Sequence, residues 1–174
     1  MKEISFFRTD ILPLKNELFR LALRITLNRD DAEDVVQETM LKVWNRREQW
    51  SELESIEAFC LTICRNVALD KMKRADSQNT SLEESGGYEH ADRSYAANPE
   101  EQAVQRDRVE LVRKLVGQLP EKQRTCMQLR DMEGKAYKDI AQVMGITEQQ
   151  VKVNIFRARQ TIKQKFLQIE QHGL

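Results

Sequence analysis

The chain has 174 residues, of which 28 are basic and 28 acidic, so its formal net charge is zero. It has no apolar run near the roughly 18 residues that span a bilayer, and its N-terminal MKEISFFRTD lacks a secretory leader pattern. We therefore expect a cytoplasmic protein with no membrane insertion. Glycine and proline are scarce and helix formers dominate, which predicts an all-α fold.

The first predicted helix covers residues 12–27, and Asp10 is its expected N-cap. After a short break, the stretch DDAEDVVQETMLKVW predicts a second helix over residues 30–44, antiparallel to the first. Asp30 is the expected cap of this second helix, and Glu33 is placed to complete a capping box. Acidic side chains in its first turn also suit the positive end of the helix dipole.

The second helix has two different faces. Its apolar residues recur at spacings of three and four, which predicts a buried stripe. This stripe consists of Ala32, Val35, Val36, Thr39, Met40, Val43 and Trp44. The remaining face is polar with one exposed leucine, and it carries Asp34, Gln37, Glu38, Leu41 and Lys42. By pattern alone, the simplest interpretation of this face is solvated surface.

A third helix is predicted over residues 56–74, with Ser55 as its cap. Its expected buried stripe is Ile56, Phe59, Cys60, Ile63 and Val67. Its other face and its C-terminal end are mainly basic and carry Arg65, Asn66, Asp70, Lys71, Lys73 and Arg74. Three helices with matched stripes predict a compact bundle of about 75 residues.

The composition changes after this bundle. Residues 76–101 contain a Gly-Gly pair, several serines, seven acidic side chains and one basic one, a net charge of −6. Such a composition is typical of a flexible linker. Because the whole chain is neutral, the flanking parts together carry +6. One hypothesis is that the acidic linker lies against a basic helix of the flanking parts in the free protein and keeps that helix from binding its partner.

A second group of helices follows the linker. Asn98 and Pro99 predict the start of a helix over residues 99–117. Its expected buried residues are Val104, Leu111, Val112, Leu115 and Val116. A further helix runs from Leu119-Pro120 to Gly134, followed by a short helix over residues 136–144.

Gly145 predicts a tight turn, and Thr147 with Gln150 predicts a capping box for a last, long helix. A short helix, a glycine turn and a long helix in this order are typical of a helix-turn-helix. The inward stripe of the last helix is Val151, Ile155, Ala158, Ile162 and Phe166. Its opposite side collects Gln149, Gln150, Val153, Phe156, Arg157 and Gln160, flanked by Lys152, Arg159 and Lys163. Amide, basic and apolar side chains together suit a major groove, although a solvated basic helix is the structural alternative.

The chain shows little sign of catalytic chemistry. Cys60 and Cys64 share a helix face that would supply half a metal site, but buried free thiols explain them more simply. Neither a nucleophile–base pair nor a glycine-rich phosphate loop is recognisable. We therefore predict no enzyme, no metal and no cofactor.

Both halves of the chain resemble one known family. DAEDVVQETMLKVW resembles the second conserved region of bacterial RNA polymerase sigma factors, and LTICRNVALDKMKR resembles the segment after it. LPEKQRTCMQLRDMEGKAYKDIAQVMGITEQQVKVNIFRARQTIKQK resembles their fourth region. With only these two domains and a short linker, the chain resembles the extracytoplasmic-function (ECF) group of sigma factors.

The resemblance implies two small helical domains: region 2 at residues 1–75, a flexible acidic linker at 76–103 and region 4 at 104–174. It also implies a role for each surface. The residues expected to contact core polymerase are Asp34, Gln37, Glu38 and Leu41. Those expected at melted minus-ten DNA are Arg65, Asn66, Lys71, Lys73 and Arg74. Those expected at the minus-thirty-five element are Arg130, Lys152, Val153, Phe156 and Arg157, and the helical pattern adds Gln149 and Gln150.

The expected function is therefore promoter-specific transcription initiation, with core RNA polymerase, promoter DNA and an anti-sigma factor as partners. Two features depart from the family pattern. Val153 and Asn154 stand where relatives often have serine and arginine, and Lys135-Ala136 replaces a serine-type helix start. The alternative is a stand-alone helix-turn-helix regulator, which leaves the polar face around Gln37 without a purpose.

Overall fold

The computed structural model describes residues 1–78 and 98–173, and every regular element in these ranges is helical. The α-helices are α1 (Lys2–Phe6), α2 (Lys15–Thr26), α3 (Arg29–Asn45), α4 (Ile56–Gln78), α5 (Pro99–Gly117), α6 (Glu121–Met127), α7 (Tyr137–Met144) and α8 (Glu148–His172). Helices α2, α3 and α4 pack against one another as a first domain, and α5 to α8 form a second. The prediction of an all-α chain with two helical domains is confirmed.

The N-terminal segment is helical before the first predicted helix begins. Helix α1 continues through a π-helical turn (Phe7–Ile11) and a 3-10 turn (Leu12–Leu14) into α2. Asp10 therefore lies inside a helical turn, and the prediction that it caps α2 is wrong. Helix α2 instead continues from the preceding turn without a side-chain cap.

An aromatic cluster attaches this N-terminal segment to the bundle. Phe6 and Phe7 stack against Trp50 with ring centroids 5.3 and 6.3 Å away, and Phe7 meets Trp44 edge-on at 5.6 Å. The indole Nε1 of Trp50 donates to the carbonyl of Val43 at 3.2 Å, so its polar atom is satisfied inside the core. Trp50 lies in a run of polar residues, and periodicity alone did not predict its burial.

Helix α3 begins one residue earlier than predicted. The side chain of Asn28 accepts the backbone N–H of Asp31 at 3.0 Å, so Asn28 is the N-cap and the prediction of Asp30 is wrong. Asn and Asp cap helices about equally well, so side-chain type alone does not distinguish Asn28 from the nearby aspartates. The residue with the extended backbone conformation of an N-cap is Asn28. The predicted stripe is otherwise confirmed, with Met40 and Trp44 half-buried and the other five residues buried.

The turn between α2 and α3 has an unusual residue at its corner. Leu27 ends α2 in the left-handed conformation with φ 55°, where glycine is usual. Its side chain reaches toward Gly117 at the end of α5, where an added Cβ would lie 3.9 Å from Leu27 Cδ1. The corner of the first domain therefore lies next to the second.

Helix α4 begins as predicted and ends later. The hydroxyl of Ser55 accepts the N–H of Ala58 at 3.1 Å, which confirms the predicted cap. The helix continues to Gln78, beyond the expected end at residue 74. Its buried face is wider than the predicted stripe and also includes Ala58, Leu61, Cys64, Arg65 and Ala68.

Helix α5 has the predicted bounds but is less buried than expected. Leu115 and Val116 are buried, whereas Val104 and Val112 are exposed, so their predicted burial is wrong. Within the described residues, α5 packs mainly against α8, and only its C-terminal turns reach the centre of the second domain. A single supporting helix covers less of the stripe than a full bundle would.

The helix-turn-helix is confirmed. Helix α6 runs into a π-helical turn (Gln128–Met132), then α7 ends at Gly145 in the left-handed conformation with φ 65°. Thr147 and Gln150 form the predicted capping box, since each side chain bonds the other residue's backbone N–H at 2.9–3.1 Å. This box fixes the direction in which α8 leaves the turn.

The two domains share one buried apolar core. Residues of the first bundle, such as Leu18 and Ile25, belong to the same buried cluster as Leu129 and Ile140 of the second domain. Helix α7 packs on α4, and α6 packs on α2. The sequence left the relative placement of the domains open, whereas the structure has them in contact. Most of the predicted linker, residues 79–97, lies outside the described part of the chain, whereas residues 76–78 and 99–101 belong to α4 and α5.

The capping box generates a stability prediction. Thr147→Ala removes the hydroxyl that accepts the Gln150 N–H, and we expect it to lower the free energy of unfolding by about 1 kcal/mol. For a chain of this size, this corresponds to a fall in Tm of roughly 3 °C. Thermal unfolding followed by circular dichroism measures the change. Thr147→Ser keeps the acceptor and should melt near the wild type; equal losses in both variants would exclude the cap as the cause.

Candidate functional site

The predicted DNA-facing side of α8 is open to solvent. Phe156 is 64% exposed, and Gln149, Lys152 and Arg157 are also exposed, while Val153 is half-buried. The inward face of the same helix is held by Val151, Ile155 and Ala158, which are buried, with Ile162 and Phe166 half-buried. An aromatic ring left in water beside bases and amides is the composition that a nucleic-acid groove accepts.

A tyrosine ring supports two of the predicted DNA contacts. The Arg130 guanidinium lies 4.2 Å from the Tyr137 ring centroid, and the Lys152 ammonium lies 5.3 Å from it. Both distances fall within the range of cation–π attraction. Arg130 Nη1 also donates to the Lys135 carbonyl at 2.8 Å, so its orientation is set from two directions. Tyr137 was missed by sequence reasoning, because its position at the start of α7 gives no pattern signal.

Two other polar residues of α8 are engaged within the domain. Arg159 forms a bidentate ion pair with Asp131, whose Oδ2 is 3.0 Å from Nε. Asn154 Nδ2 donates to the carbonyl of Gln150 at 2.8 Å. Arg159 therefore braces α8 against the turn after α6, and Asn154 is directed along its own helix.

The basic side of α4 is divided between solvent and protein. Asn66, Lys73 and Arg74 are exposed. Lys71 Nζ lies 3.4 Å from Asp34 Oδ2 and 3.8 Å from Asp31 Oδ1. A residue predicted to contact DNA and one predicted to contact polymerase thus form an ion pair, which places the two predicted surfaces side by side.

Arg65 is not on the exposed face where the sequence placed it. Its side chain is only 10% exposed, and its Nε and Nη2 donate to the two carboxylate oxygens of Glu121 at 3.1 and 3.0 Å. Glu121 opens α6 in the second domain, so the partner of this predicted DNA contact comes from the other domain. The arrangement was invisible in sequence because helical periodicity describes one domain at a time.

The polar face of α3 is open as predicted. Leu41 is 65% exposed, Gln37 is also exposed, and Glu38 pairs with Lys42 one turn away at 3.1 Å. None of these side chains is used by the core of the first domain. A single exposed leucine is common on protein surfaces, so its exposure leaves this face available to a partner without identifying one.

The described residues show no other chemical centre. In residues 1–78 and 98–173, no group of three His, Cys, Asp or Glu side chains is placed to bind a metal ion. No helix in these ranges has the length and apolarity to cross a bilayer. The thiols of Cys60, Cys64 and Cys126 are free and buried.

Family models of sigma-70 regions match both domains of the chain. The family model described as Sigma-70 region 2 matches residues 11–78, and the one described as Sigma-70, region 4 matches residues 110–162. The ECF RNA polymerase sigma factor SigL of Mycobacterium tuberculosis is 31% identical over 149 residues, which cover 84% of this chain and 80% of that protein. The RNA polymerase sigma-H factor of Pseudomonas aeruginosa is 29% identical over 160 residues, covering 88% of this chain and 83% of the relative.

A solved structure shows the same fold. The sigma factor RpoE from Bartonella quintana, crystallised in complex with the anti-sigma factor NepR, matches with a TM-score of 0.75 and 22% sequence identity. The match covers 94% of this chain and 97% of the other. Likeness in fold therefore extends over both domains.

The buried thiols generate a reactivity prediction. Burial raises the pKa of Cys60 and Cys64 to about 12 and that of Cys126 to about 11. At pH 8 an exposed thiol is about one-quarter thiolate, whereas these thiols stay almost entirely protonated and covered. We expect an aromatic disulfide reagent to modify none of them within minutes in the native protein and all of them in guanidinium chloride. A thiol that reacts at once without denaturant would contradict this burial.

Proposed function

The chain belongs to the sigma-70 family of RNA polymerase sigma factors, within its ECF group, and we propose how its surfaces divide the work of initiation. As a member, it associates with core RNA polymerase and directs promoter-specific transcription initiation. We assign residues 1–75 to polymerase binding and minus-ten melting, 76–103 to a linker and 104–174 to minus-thirty-five recognition. The carrying observation is the open side of α8, where Phe156 and Arg157 extend from a helix fixed by its capping box.

The second domain reads the minus-thirty-five element in this proposal. The bases Arg130, Lys152 and Arg157 neutralise phosphates or read guanine, and the amides of Gln149 and Gln150 suit adenine. Phe156 and Val153 supply apolar contact of the kind that a thymine methyl accepts. The exposure of most of these side chains on one side of α8 supports their joint use.

The first domain holds polymerase on α3 and melted DNA on α4. Asp34, Gln37, Glu38 and Leu41 face solvent on α3 and form the polymerase contact. Asn66 offers an amide to an unstacked minus-ten base, while Lys71, Lys73 and Arg74 hold the backbone. Arg65 joins this set when its pairing with Glu121 is released. The chain thus acts as an initiation factor without catalysis of its own, in the cytoplasm with the polymerase. We also propose an anti-sigma partner, as in the solved relative.

Transcription with purified core polymerase tests the function. We expect core polymerase with this chain, but not without it, to produce transcripts from fragmented genomic DNA of the source. Their start sites should share a pair of upstream elements. A stand-alone helix-turn-helix regulator would bind duplex DNA without polymerase and produce no new start sites, so that result would overturn the assignment.

A variant on α3 separates polymerase binding from folding. Leu41→Lys places a charge at an exposed position of the docking face, and we expect it to weaken core binding about tenfold or more, because binding would then bury an unpaired charge. Affinity is measured by titrating labelled chain with core polymerase. Leu12→Lys is the matched control, because Leu12 is an exposed leucine of the same domain outside that face. Equal weakening in both variants would count against the docking face.

Tyr137 generates a prediction about promoter affinity. Tyr137→Leu keeps an apolar side chain but removes the ring beneath Arg130 and Lys152, and we expect a three- to tenfold loss of holoenzyme affinity for the minus-thirty-five element. Tyr137→Phe keeps the ring and should bind nearly as the wild type does. Fluorescence anisotropy on promoter duplex measures both.

The same experiment in an Arg130→Ala background distinguishes positioning from general damage. If the ring acts through Arg130, Tyr137→Leu costs less there than in the wild type. An unchanged loss in that background, or a loss in Tyr137→Phe as large as in Tyr137→Leu, would refute the role of the ring.

A further inference from the structure

One ion pair joins the two segments that carry the proposed minus-thirty-five contacts. Arg159 of α8 donates from Nε to Asp131 Oδ2 at 3.0 Å and from Nη2 to Oδ1 of the same carboxylate. Asp131 lies in the π-helical turn (Gln128–Met132) that follows α6. Two parallel bonds between a planar guanidinium and a planar carboxylate fix direction as well as distance. The pair therefore ties α8 to that turn in one orientation.

Each end of the pair is next to residues of the proposed DNA surface. Asp131 follows Arg130 in the chain, and Arg159 lies about one helical turn beyond Phe156. The hydrogen bond to Asp131 raises the pKa of Arg159, and the phenol of Tyr137 adds to this rise. Arg159 is therefore close to the ring that supports Arg130. The ion pair and the ring together connect the turn that carries Arg130 to the open side of α8.

The pair has more effect on geometry than on stability. The Arg159 side chain is 54% exposed and the Asp131 side chain 31%, and ion pairs with this much solvent around them contribute little to folding. The residues that anchor α8 in the core, Val151, Ile155 and Ala158, are buried by apolar packing instead. The main consequence of the pair is thus a fixed placement of α8 relative to the turn after α6.

Helical geometry alone suggests a different role for Arg159. At 100° per residue, Arg159 lies within about 20° of Lys152 and within about 40° of Lys163, on a basic flank of α8 that suits phosphate contacts. A phosphate, however, would have to displace Asp131 from both of its bonds to Arg159. It would then leave the Asp131 carboxylate unneutralised beside the negative DNA backbone. The bidentate pair therefore favours a role within the protein over direct contact with DNA.

We propose that Asp131 and Arg159 are positioning residues for minus-thirty-five recognition, whose ion pair holds Arg130 at a fixed offset from the reading side of α8. Discrimination between base pairs depends on this offset, because bidentate contacts to a base edge tolerate only small displacements. Neither Asp131 nor Arg159 contacts a base itself. The role rests on the proposed function of α8, which it deepens by naming what sets the accuracy of reading.

Holoenzyme assembled from core polymerase and the full chain tests this role by competition between two duplexes. One duplex is a promoter found by the transcription experiment, and the other differs only in a scrambled minus-thirty-five element. The ratio of their affinities measures discrimination, and it does not depend on how much chain is bound to core, since both duplexes compete for the same holoenzyme. We expect Asp131→Ala and Arg159→Met each to lower this ratio about fivefold or more. The double variant should lower it no further, because each single change already breaks the same pair.

The matched control is the ion pair of Arg108 and Glu170. It also joins α8 to another helix, with a similar exposure and an N–O distance of 3.4 Å, but it lies at the C-terminal end of α8. Arg108→Met and Glu170→Ala should leave the ratio of affinities unchanged. All four single variants should melt within about 3 °C of the wild type. An equal loss of discrimination in the control variants would refute a specific role for Asp131 and Arg159.

Exchange of the two charges separates positioning from direct contact. Asp131→Arg/Arg159→Asp rebuilds the pair with its ends reversed, and it should return discrimination to within about threefold of the wild type. If Arg159 bound a phosphate instead, Arg159→Met would weaken both duplexes equally and make the salt dependence shallower by about one unit of slope. The exchange would then restore nothing, since a carboxylate would replace the cation at the DNA.

Unchanged discrimination in the single variants, or no recovery on exchange, refutes the positioning role and leaves the proposed function standing. If a single variant is unfolded at the assay temperature, Asp131→Asn and Arg159→Lys replace the pair of variants. Each keeps a polar side chain without the bidentate geometry, so full discrimination in these variants also refutes the role. If wild-type holoenzyme starts no transcripts or does not distinguish the two duplexes, the proposed function fails, and the positioning role fails with it.

Discussion

Helix α4 is covered on two sides, and much of the arrangement follows from this constraint. Its residues Cys60, Ile63 and Cys64 are buried, and Cys64 Sγ donates to the carbonyl of Leu18 at 3.4 Å. Its neighbouring side packs against α7. Arg65, on the same helix, donates to Glu121 at the start of α6. A helix in this position belongs to both domains, so whatever moves the second domain also changes what α4 exposes.

The charge distribution follows the same division. The chain is neutral overall, yet Arg20, Arg65 and Lys135 are paired across the domain boundary while α8 keeps Lys152 and Arg157 in solvent. Affinity for DNA comes largely from cations that neutralise phosphates. Basic side chains that pair with carboxylates inside the protein do not contribute to that affinity. In a chain with equal numbers of basic and acidic residues, few basic side chains remain for phosphates. The protein is therefore suited to bind DNA as part of a larger complex that holds it in place.

Local patterns predicted what depends on one helix. The stripe of α3, the cap at Ser55, the turn at Gly145 and the capping box at Thr147 all follow from spacing and side-chain chemistry, and each is present. The capping error at Asp30 arose because Asn28 and Asp30 have nearly equal capping ability.

What depends on contact between distant segments could not be predicted in this way. Arg65 has the spacing of a solvated residue and is buried by a glutamate 56 positions away. Lys135 is a poor residue for starting a helix. Its role in the structure is to pair with Glu17 and Glu57 of the first domain. Val104 and Val112 have the spacing of a core stripe, but α5 packs mainly against α8 and leaves both side chains exposed. The assignment of surfaces to polymerase and DNA rested on the family resemblance, because periodicity alone does not name a partner.

At Leu27, the residue that best suits the left-handed backbone of the turn differs from the residue that best packs toward the second domain. A leucine with φ 55° costs the bundle on the order of 1 kcal/mol that a glycine would not. The same leucine supplies the side chain that faces Gly117 in the second domain. Replacing it with glycine would relax the turn and remove the side chain that lies near Gly117, so a sequence optimised for a stable first domain and one optimised for packing between the domains would differ at this position.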